Sequence, residues 1–359
     1  MIKWSFRIVI GLVFLLGITC FWVVNTTLQV DNIQAADFHS APQSPELPRA
    51  KTLKILNWNV QFMAGNVNNH FFYDNGPDDW PEESVLEKNL DAMAALIREE
   101  DPDVIFLQEM DEGAGRTFFQ NQVALLLDRL PVSYQSQAST YYWQADFLPL
   151  PAIWGRVGMK LATLSKYKIK SATRYALAPI DTHSWIEQQF EPRRAILQAE
   201  LALEGGGSLY VLNTHLSAFA QGSQTMERQV SRVVEIMQGF ELRNENAIIG
   251  GDFNLIPSNE MLELLPAREG AYYNPERTEL LPLLEAFASV PAQENFLGAN
   301  AAEWYTHSPN YAKDKTPNKL LDYFFMTDKV RVENSLVRQG DAILISDHMP
   351  LVASFSIGE

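Results

Sequence analysis

Short apolar runs, each bounded by turn residues, recur from residue 52 to the end of this chain and constrain its fold more than any other feature. Runs of this length and composition are typical of β-strands, several of them buried on both faces. Two intervening stretches carry apolar residues at helical spacing instead, and each precedes a strand. We therefore expect an α/β fold with two sheets packed face to face and helices outside them. The predicted strands are LKILNWNVQF, DVIFLQEM, MKLATLSKY, AILQAELAL, SLYVLNTH, NAIIGGDFN, KLLDYFFMT and HMPLVASFSI; the helical positions are Leu86, Leu90, Met93, Ala94 and Ile97, after Pro81, and Met226, Val230, Val233, Val234 and Met237.

The N-terminus does not belong to this pattern. The 17 residues from Ile8 to Val24 carry no charge, which is at the short end of the ~17–25 residues that span a bilayer. Lys3 and Arg7 precede this segment, and the next basic residue is Arg49. The positive-inside rule therefore predicts a cytoplasmic N-terminus and an extracytoplasmic chain after the segment, on the periplasmic or extracellular side of the cytoplasmic membrane.

We interpret residues 1–24 as an uncleaved single-pass membrane anchor. A cleaved signal peptide, which would release a secreted protein, is the alternative, but the stretch IQAA at 33–36 is a poor cleavage site. Residues 25–51 are rich in proline and polar residues and lack an apolar period, so they predict an extended linker. Residues 52–359 are predicted to form the folded domain, in which 259–319 consist of long loops and short helices.

The charge balance bears on the partners of this chain. There are 44 acidic and 28 basic residues, a net charge of −16, and removing Lys3 and Arg7 leaves 26 basic residues and −18 for the exported part. Strong binding to duplex nucleic acid depends on Lys and Arg that replace counterions, so this composition argues against it. An acidic protein can still bind phosphate through a metal ion. The 47% hydrophobic content supplies a large core, and the single cysteine excludes a disulfide scaffold.

Polar residues of one chemical kind, mostly amides and carboxylates, interrupt the ends of the apolar runs. Buried charges are costly unless they are paired or bound to metal. Carboxylate, amide and water oxygens are the ligands that Mg²⁺ prefers, whereas zinc would require more His and Cys. The sequence therefore predicts a Mg²⁺ site, with Mn²⁺ as a substitute. The residues concerned are Asn57, Asn59, Gln108, Glu109, Asn213, His215, Asp252, Asn254, Asp322, Asp347 and His348.

Six short sequence patches that contain these residues, taken in their order along the chain, resemble the endonuclease/exonuclease/phosphatase superfamily. That superfamily includes type I deoxyribonucleases, abasic-site endonucleases, inositol polyphosphate 5-phosphatases and neutral sphingomyelinases. The resemblance spans about residues 52–357. It implies a four-layer α/β/β/α sandwich of two mixed, mainly antiparallel sheets, with a metal-dependent site for phosphate ester hydrolysis at one end. The patches are Asn59, Glu109 in LQE, His215 in NTHL, Asp252 and Asn254 in GDFN, Asp322 in LDY, and Asp347 and His348 in SDH.

The resemblance also implies roles for these residues. Glu109 matches the main metal ligand, with Asn59 and Asp347 nearby. Asp252 and Asn254 match residues that orient or deprotonate the attacking water and contact the phosphate.

The matched histidines have roles at the phosphate. His348 matches a base or charge stabiliser, Asp322 would orient a histidine, and His215 matches a histidine that contacts phosphate or acts as an acid. Phosphate ester hydrolysis needs an in-line water, a group that holds it, and positive charge on the phosphate oxygens, so this chemistry agrees with the residue types present.

Other polar and aromatic residues favour structural interpretations. We expect Asn57 and Gln108 to bond backbone or supporting groups, His70, His183 and His307 to lie on the surface or in loops, and Asp111 and Glu112 to lie in a solvated loop. The aromatic run YYWQADFLPLPAIW, 141–154, is interpreted as a loop packed by its own side chains, with an apolar lip at the site as the alternative. The stretch KDKTPNK, 313–319, is interpreted as a solvated charged loop, with a rim for an anionic substrate as the alternative.

The functional expectation is a Mg²⁺-dependent hydrolase of phosphate esters, a monomeric phosphodiesterase that acts by in-line attack of water. Membrane tethering and the aromatic run favour a lipid-linked substrate or a small phosphodiester. An extracytoplasmic nuclease is the alternative, although the acidic exported part lacks clustered Lys or Arg. A non-catalytic module that binds a phosphorylated ligand is the further alternative.

Overall fold

The computed structural model describes residues 2–66, 80–150, 153–220, 222–310 and 315–358. The helices are α1 Ile2–Thr26, α2 Glu83–Glu100, α3 Gln122–Leu127, α4 Trp185–Phe190, α5 Thr225–Leu242, α6 Asn259–Leu264, α7 Ala267–Gly270 and α8 Leu281–Ala286. The strands are β1 Ile33–Ala35, β2 Asp37–Ser40, β3 Leu53–Asn59, β4 Val104–Asp111, β5 Ser136–Leu148, β6 Gly155–Ser165, β7 Ile169–Ala176, β8 Ala195–Ala202, β9 Ser208–His215, β10 Asn246–Asp252, β11 Ala288–Val290, β12 Asp322–Met326, β13 Val330–Val337 and β14 Leu351–Ile357.

Two seven-stranded sheets form the centre of the fold. The first has the strand order β13-β14-β3-β4-β6-β5-β2, and the second has the order β1-β7-β8-β9-β10-β12-β11. The pairs β3–β4 and β9–β10 are parallel, whereas the other neighbours are antiparallel. The predicted two mixed, mainly antiparallel sheets are therefore confirmed.

Three apolar layers hold the sheets and helices together. Successive side chains of a strand point to opposite faces, so Phe106 of β4 packs between the sheets whereas Leu107 packs outward against α2. In the second sheet, Ile248 faces the inner layer and Ile249 packs outward against α5. The two predicted helices thus cover the outer faces, which confirms the α/β/β/α sandwich and explains why the strands are apolar on both faces.

The N-terminal helix stands apart from these layers. Within the described residues, Arg7–Thr26 is the one helix that is long and apolar enough to cross a membrane, with a mean hydropathy of 2.4 and no residue of its most apolar stretch buried. A signal sequence near an N-terminus can meet the same criteria of length and hydropathy.

The segment predicted as a linker, 25–51, differs from that expectation. Strand β1 pairs with β7 and β2 pairs with β5, so each sheet gains an edge strand, and Leu47 is fully buried. Strand pairing at a sheet edge satisfies backbone groups and requires no apolar period, which is why the side-chain pattern did not indicate these strands. This segment is therefore attached to the domain for much of its length.

Two other stretches can be compared with their predictions. Residues 259–319 contain α6, α7 and α8 together with the short strand β11, which was not predicted. The aromatic run 141–154 was predicted as a loop, but most of it is the second half of β5. Tyr142 is fully buried whereas Tyr141 is only partly buried, so the run alternates as a strand does and the loop interpretation was wrong.

Candidate active site

Three neighbouring strands of the second sheet bring polar side chains to one level. Asp252, the last residue of β10, lies opposite His215, the last residue of β9, and also opposite Asp322, the first residue of β12. All three side chains are buried. The register of these strands therefore assembles a histidine and two carboxylates at one end of the sheet.

The first sheet contributes Asn59 and Glu109 from the ends of β3 and β4. The pairing of β4 with β6 is interrupted by a bulge at Glu109, whose backbone is left-handed with φ 60°. The Asn59 Nδ2 atom donates to Glu109 Oε1 at 3.2 Å and to Asp252 Oδ2 at 3.0 Å. Asn59 thus joins the two sheets at the predicted site.

His348 forms a pair with Asp322. Its Nδ1 atom lies 2.8 Å from Asp322 Oδ2, and its Nε2 atom lies 3.5 Å from Asp252 Oδ2. Burial lowers the pKa of His348, but the neighbouring charges of Asp322 and Asp252 outweigh it and raise that pKa to about 10. One donor atom from each of these three residues lies within 4.8 Å of the others, a spacing that could hold a metal ion. Because His348 is hydrogen-bonded to Asp322 and its pKa is raised, we interpret these three residues as a protonated imidazole between two carboxylates instead of a metal site.

His215 has the opposite protonation state. Burial lowers the pKa of His215 well below its usual value, and the charge of Arg194 lowers it further, so its imidazole is neutral. Its Nε2 atom lies 3.3 Å from Asp252 Oδ2 and 4.0 Å from Glu109 Oε1, and its Nδ1 atom lies 3.3 Å from the Tyr142 hydroxyl. Burial also raises the pKa of Tyr142, which keeps that hydroxyl protonated. Because Nε2 of His215 faces the Asp252 carboxylate, Nε2 carries the proton of the neutral ring, and the Tyr142 hydroxyl donates to Nδ1.

The backbone around Asp252 is set by the sequence GGDFN. Gly251 has φ 155°, and a Cβ atom at this position would lie 2.0 Å from the carbonyl oxygen of Thr214. Asn254 is left-handed with φ 52°; its backbone N–H donates to Asp252 Oδ1 at 2.9 Å and its side-chain Nδ2 donates to the Leu216 carbonyl at 3.1 Å. Close strand approach and this tight turn hold Asn254 beside Asp252.

Asp347 lies with three residues that sequence reasoning did not place in the site. Its Oδ2 atom accepts a hydrogen bond from Asn310 Nδ2 at 3.3 Å and lies 4.0 Å from His307 Nε2, and its N–H donates to Gln61 Oε1 at 3.3 Å. The His307 ring packs edge to face on His348, with 4.8 Å between centroids. His307 therefore lies in a loop, as expected, but its side chain is only 16% exposed and lies at the site instead of on the surface. No motif identifies these residues, because the fold brings them together from separate loops.

Among the described residues, the other histidines outside the motifs, His39 and His183, give no further site. His183 is partly exposed and its Nδ1 contacts Glu191 Oε1. His70 lies outside the described residues. In the lysine-rich stretch 313–319, Lys319 is buried and its Nζ contacts Glu269 Oε2, so the solvated-loop interpretation does not hold for it. Lys319 is paired too closely with Glu269 to act as a rim for an anionic substrate.

Three fully buried amides connect the sheets behind the site. Gln108 Nε2 donates to Asn57 Oδ1 at 2.8 Å and to Asn213 Oδ1 at 2.7 Å, and Asn57 Nδ2 donates to Asp322 Oδ1 at 3.2 Å. Asn213 in turn donates to backbone carbonyls of β4 and β6. Asn57 and Gln108 thus contact supporting groups, and we infer that this amide chain orients Asp322.

Asp111 holds an arginine beside Glu109. Asp111 is fully buried at the end of β4 and accepts two hydrogen bonds from Arg116, at 2.8 and 3.0 Å. The Arg116 guanidinium also lies 3.5 Å from the centroid of the Phe62 ring. The solvated-loop prediction was therefore wrong for Asp111. Glu112 is partly exposed and bonds Lys160 Nζ at 2.7 Å.

Arg194 is a second cation of the site that sequence reasoning missed. Its guanidinium lies 5.2 Å from the centroid of the Tyr142 ring. Burial raises the pKa of Glu109 and lowers that of His215, and the Arg194 charge opposes the first shift and adds to the second. The Arg194 Nη1 atom is buried and has no hydrogen-bond partner among the residues that the structure describes. A buried guanidinium nitrogen without a partner is available to an anionic ligand.

A cleft of about 450 Å³ opens over these groups. Its polar lining includes Asn59, Glu109, Arg194, His215, Asp252, Asn254, His307, Asp347 and His348. Its apolar lining includes Phe62, Trp143, Leu150, Ile153, Met159, Ile180 and Phe190. Part of the aromatic run therefore lines the cleft, as its alternative interpretation required.

The donor groups fit a hard divalent cation. Glu109 and Asp347 supply carboxylate oxygens, and Asn59 supplies an amide oxygen that accepts one hydrogen bond, from the Gln61 N–H at 3.1 Å, and retains a second lone pair. Burial raises the pKa of Glu109, although the Arg116 charge opposes this, so its carboxylate gains from a cation nearby. No cysteine lies among these residues, which favours an oxygen-preferring metal over zinc.

Comparisons with known proteins agree with the fold and the site motifs. Residues 56–348 match the sequence model of the Endonuclease/Exonuclease/phosphatase family. A search of curated proteins finds no match.

Three solved structures illustrate the likeness of the fold. The endonuclease/exonuclease/phosphatase from Beutenbergia cavernae DSM 12333 is 20% identical with a TM-score of 0.58, and the match covers 86% of this chain and 72% of that one. The family protein from Leptotrichia buccalis C-1013-b is 17% identical with a TM-score of 0.51, and the match covers 84% and 98%. D. rerio TDP2, complexed with a single-strand DNA product, is 18% identical with a TM-score of 0.50, and the match covers 85% and 99%.

Proposed function

Because this chain belongs to the endonuclease/exonuclease/phosphatase family of hydrolases, we propose that it is a Mg²⁺-dependent phosphodiesterase that hydrolyses its substrate by in-line attack of water. The observation that carries the proposal is the meeting of Asn59 and Glu109 of one sheet with His215, Asp252 and Asp322 of the other. Such a set provides a base, a cation site and hydrogen-bond donors within one cleft.

Glu109, Asn59 and Asp347 would hold the metal ion in this proposal, with Mn²⁺ as a substitute for Mg²⁺. When bound, the ion supplies positive charge to the phosphate oxygens and stabilises the charge that develops there. The oxygen donors and the raised pKa of Glu109 support this assignment.

Asp252 is the proposed base for the attacking water. Burial raises its pKa, although the charge of His348 opposes this, and a higher pKa makes the carboxylate a better proton acceptor. The backbone N–H of Asn254 holds Asp252 Oδ1, which leaves the position of the base fixed.

The two histidines would act in different protonation states. His348, protonated and oriented by Asp322, would place a positive charge at the phosphate. His215, neutral and fixed by the Tyr142 hydroxyl, would donate a hydrogen bond from Nε2. Asn254 lines the cleft next to Asp252 and would contact the phosphate.

The proposal includes membrane tethering with the catalytic domain on the extracytoplasmic side. The length and hydropathy of Arg7–Thr26 and the distribution of basic residues around it support this placement. Under this proposal the substrate is a lipid-linked or small phosphodiester.

A nuclease is the second candidate. D. rerio TDP2, whose structure contains a single-strand DNA product, has the same fold, and Arg116 and Arg194 provide two cations in the cleft. The net charge of −18 after the first seven residues disfavours tight duplex binding, so a single strand would be the nucleic-acid substrate.

A substrate panel tests the proposal. The full chain, purified in detergent with Mg²⁺ or Mn²⁺, is assayed against a chromogenic phosphodiester, phospholipid, sphingomyelin, sugar phosphates, and single-stranded and duplex DNA. We expect Glu109→Ala to abolish activity and to leave the melting temperature nearly unchanged or raised, because a buried carboxylate is removed. The exposed Glu285 of α8 provides the matched control, Glu285→Ala, which keeps full activity. Ligand binding without turnover of any substrate would instead identify a non-catalytic module.

A further inference from the structure

The end of the N-terminal helix is fixed to the domain. Thr27, the residue after α1, forms a bridge with Ala145 of β5, and the Leu28 N–H donates to the Gln144 carbonyl at 2.9 Å. Gln29 Nε2 also donates to Gln189 Oε1 of α4 at 3.1 Å. No extended tether therefore separates α1 from the catalytic domain.

The same two elements carry the apolar side of the cleft. Trp143 of β5 donates from Nε1 to the carbonyl of Phe190 in α4 at 2.8 Å, and both residues line the cleft. Phe147, near the end of β5, lies between Trp22 of α1 and Trp154, with ring centroids 6.4 and 5.2 Å apart. Aromatic contacts thus run from the end of α1 to Trp154, the residue that follows Ile153 of the cleft lining.

Four large apolar side chains lie in or next to the elements that contribute Trp143 and Phe190 to the cleft, and they are exposed to solvent. Leu150 and Trp154 follow β5 and are 46% and 64% exposed, and Trp185 and Ile186 begin α4 and are 54% and 59% exposed. We call these four residues the apolar rim. Exposed apolar groups that cluster next to a functional cleft mark an interaction surface, and tryptophan is enriched where proteins meet the membrane surface.

We propose that the apolar rim rests on the bilayer that holds α1, and that the cleft admits a zwitterionic phosphodiester lipid directly from that bilayer. This inference rests on the proposed function of the site. A 20-residue helix spans ~30 Å, the thickness of the hydrocarbon core, so its last turn lies at the bilayer surface. Because Thr27 is paired with Ala145 and Trp22 contacts Phe147, the end of β5 that leads to Leu150 and Trp154 lies next to that last turn.

The lining of the cleft indicates which part of the lipid it would take. Phe62, Met159 and Ile180 line the same cleft as Glu109 and suit hydrocarbon next to the phosphodiester. The exposed carboxylate of Glu187 in α4 would repel anionic headgroups, whereas the charge of Asp146 in β5 is paired with Arg156 at 3.9 Å. A zwitterionic headgroup avoids this repulsion.

Membrane docking can be measured without activity. The single cysteine of the full chain is removed by Cys20→Ser, and one spin label is attached at Trp154→Cys. The control protein carries the label at Val132→Cys; Val132 is 84% exposed and is distant from the rim residues in sequence. In phosphatidylcholine vesicles we expect the label at position 154 to be accessible to oxygen and protected from a water-soluble relaxation agent. Equal accessibility of both labels to the water-soluble agent would overturn the proposal.

The second measurement compares two substrates of the same reconstituted protein. We expect Trp154→Ser combined with Trp185→Ser to lower hydrolysis of sphingomyelin or phosphatidylcholine in vesicles by about tenfold or more, because each large apolar group lost from the bilayer corresponds to roughly a tenfold change. Hydrolysis of a water-soluble chromogenic phosphodiester should remain unchanged. The matched control, Val132→Ser with Leu242→Ser, replaces residues that are 84% and 87% exposed and should alter neither rate.

The outcomes separate this inference from the function on which it rests. If the rim variant lowers both rates equally or neither, or if a single-stranded oligonucleotide is hydrolysed with a higher kcat/KM than the vesicle lipid, the inference is wrong. The phosphodiesterase proposal still stands in those cases, provided that Glu109→Ala abolishes the activity on the soluble substrate. If the unaltered protein hydrolyses neither substrate, both proposals fail.

Discussion

Replacing Gln108 by leucine tests the buried amide chain behind the site. The side-chain volume is nearly preserved, but two hydrogen bonds disappear, and the Oδ1 atoms of Asn57 and Asn213 lose their donor in a fully buried environment. Each unsatisfied buried acceptor costs about 1–3 kcal/mol, or about 2–6 kcal/mol for the pair. Gln108 Oε1 has no partner among the described residues, so its removal recovers about 1–3 kcal/mol. We therefore expect a net loss of about 1–3 kcal/mol in the free energy of unfolding.

The same substitution should also lower the turnover number. Asn57 Nδ2 bonds Asp322 Oδ1, and Asp322 holds His348, so a shift of Asn57 is transmitted to the imidazole. Misplacement of a catalytic group by about 1 Å can cost on the order of a hundredfold in rate. We expect kcat to fall by about ten- to a hundredfold with little change in KM, because Gln108 does not line the cleft.

Chemical denaturation of the full chain in detergent and steady-state kinetics measure these two effects. Thr163→Val is the control, because Thr163 is also fully buried and its Oγ1 has no partner among the described residues. This variant should be as stable as the original protein or slightly more stable, with unchanged kcat. The reasoning is refuted if Gln108→Leu unfolds at the original denaturant concentration, and the positioning role of the amide chain is refuted if the variant is destabilised but retains its kcat.

Four further predictions concern other parts of the molecule. Arg194→Met should raise KM by about tenfold in the phosphodiester assay, since a charge-assisted hydrogen bond contributes roughly 1.5–3 kcal/mol; an unchanged KM would show that Nη1 does not meet the substrate. Gly251→Ala should yield little folded protein in expression trials, because its Cβ would lie 2.0 Å from the Thr214 carbonyl oxygen. The control Gly205→Ala, at a position with φ 77° and no atom within 4 Å of the added Cβ, should fold with a modest loss of stability measured by denaturation. The pKa of His348 is raised to about 10, so its ion pair with Asp322 stabilises the metal-free protein fully below pH ~6.5, and this stabilisation is lost as the pH rises through about 10. The difference in free energy of unfolding between the original protein and Asp322→Asn, measured with chelator present, should therefore shrink over that interval. A constant difference would contradict the assignment. If α1 is an anchor, the protein should stay in the membrane pellet during alkaline carbonate extraction and its mass should include residues 1–24, whereas a shortened mass would identify a cleaved signal peptide.

The polar residues that end the strands could be identified from the sequence because each lies in a short local pattern. GDFN and SDH place their carboxylates directly after apolar strands, and the pairing of β9, β10 and β12 brings such ends to one level. The helices α2 and α5 were predictable for a similar reason, since one buried face repeats along each of them.

The remaining site residues depend on contacts between distant parts of the chain. His307 and Asn310 come from a loop without a motif and reach Asp347 only in the folded molecule. Asp111 was misinterpreted because its partner, Arg116, lies five residues later in an irregular segment whose direction the sequence does not specify. Arg194 carries no local signal, since only the position of Tyr142 and Glu109 shows what its guanidinium faces.

The strands β1 and β2 have a practical consequence for preparing this protein. They follow each other with one residue between them, yet β1 belongs to the second sheet and β2 to the first. The segment therefore links strands β7 and β5 of the two sheets, and we call it the clasp. A soluble version cut just before Leu53, where the first long strand starts, would lose this clasp and uncover the edges of β5 and β7 together. Uncovered strand edges recruit other chains, and such a fragment would be expected to aggregate while one that begins at Thr27 stays dispersed.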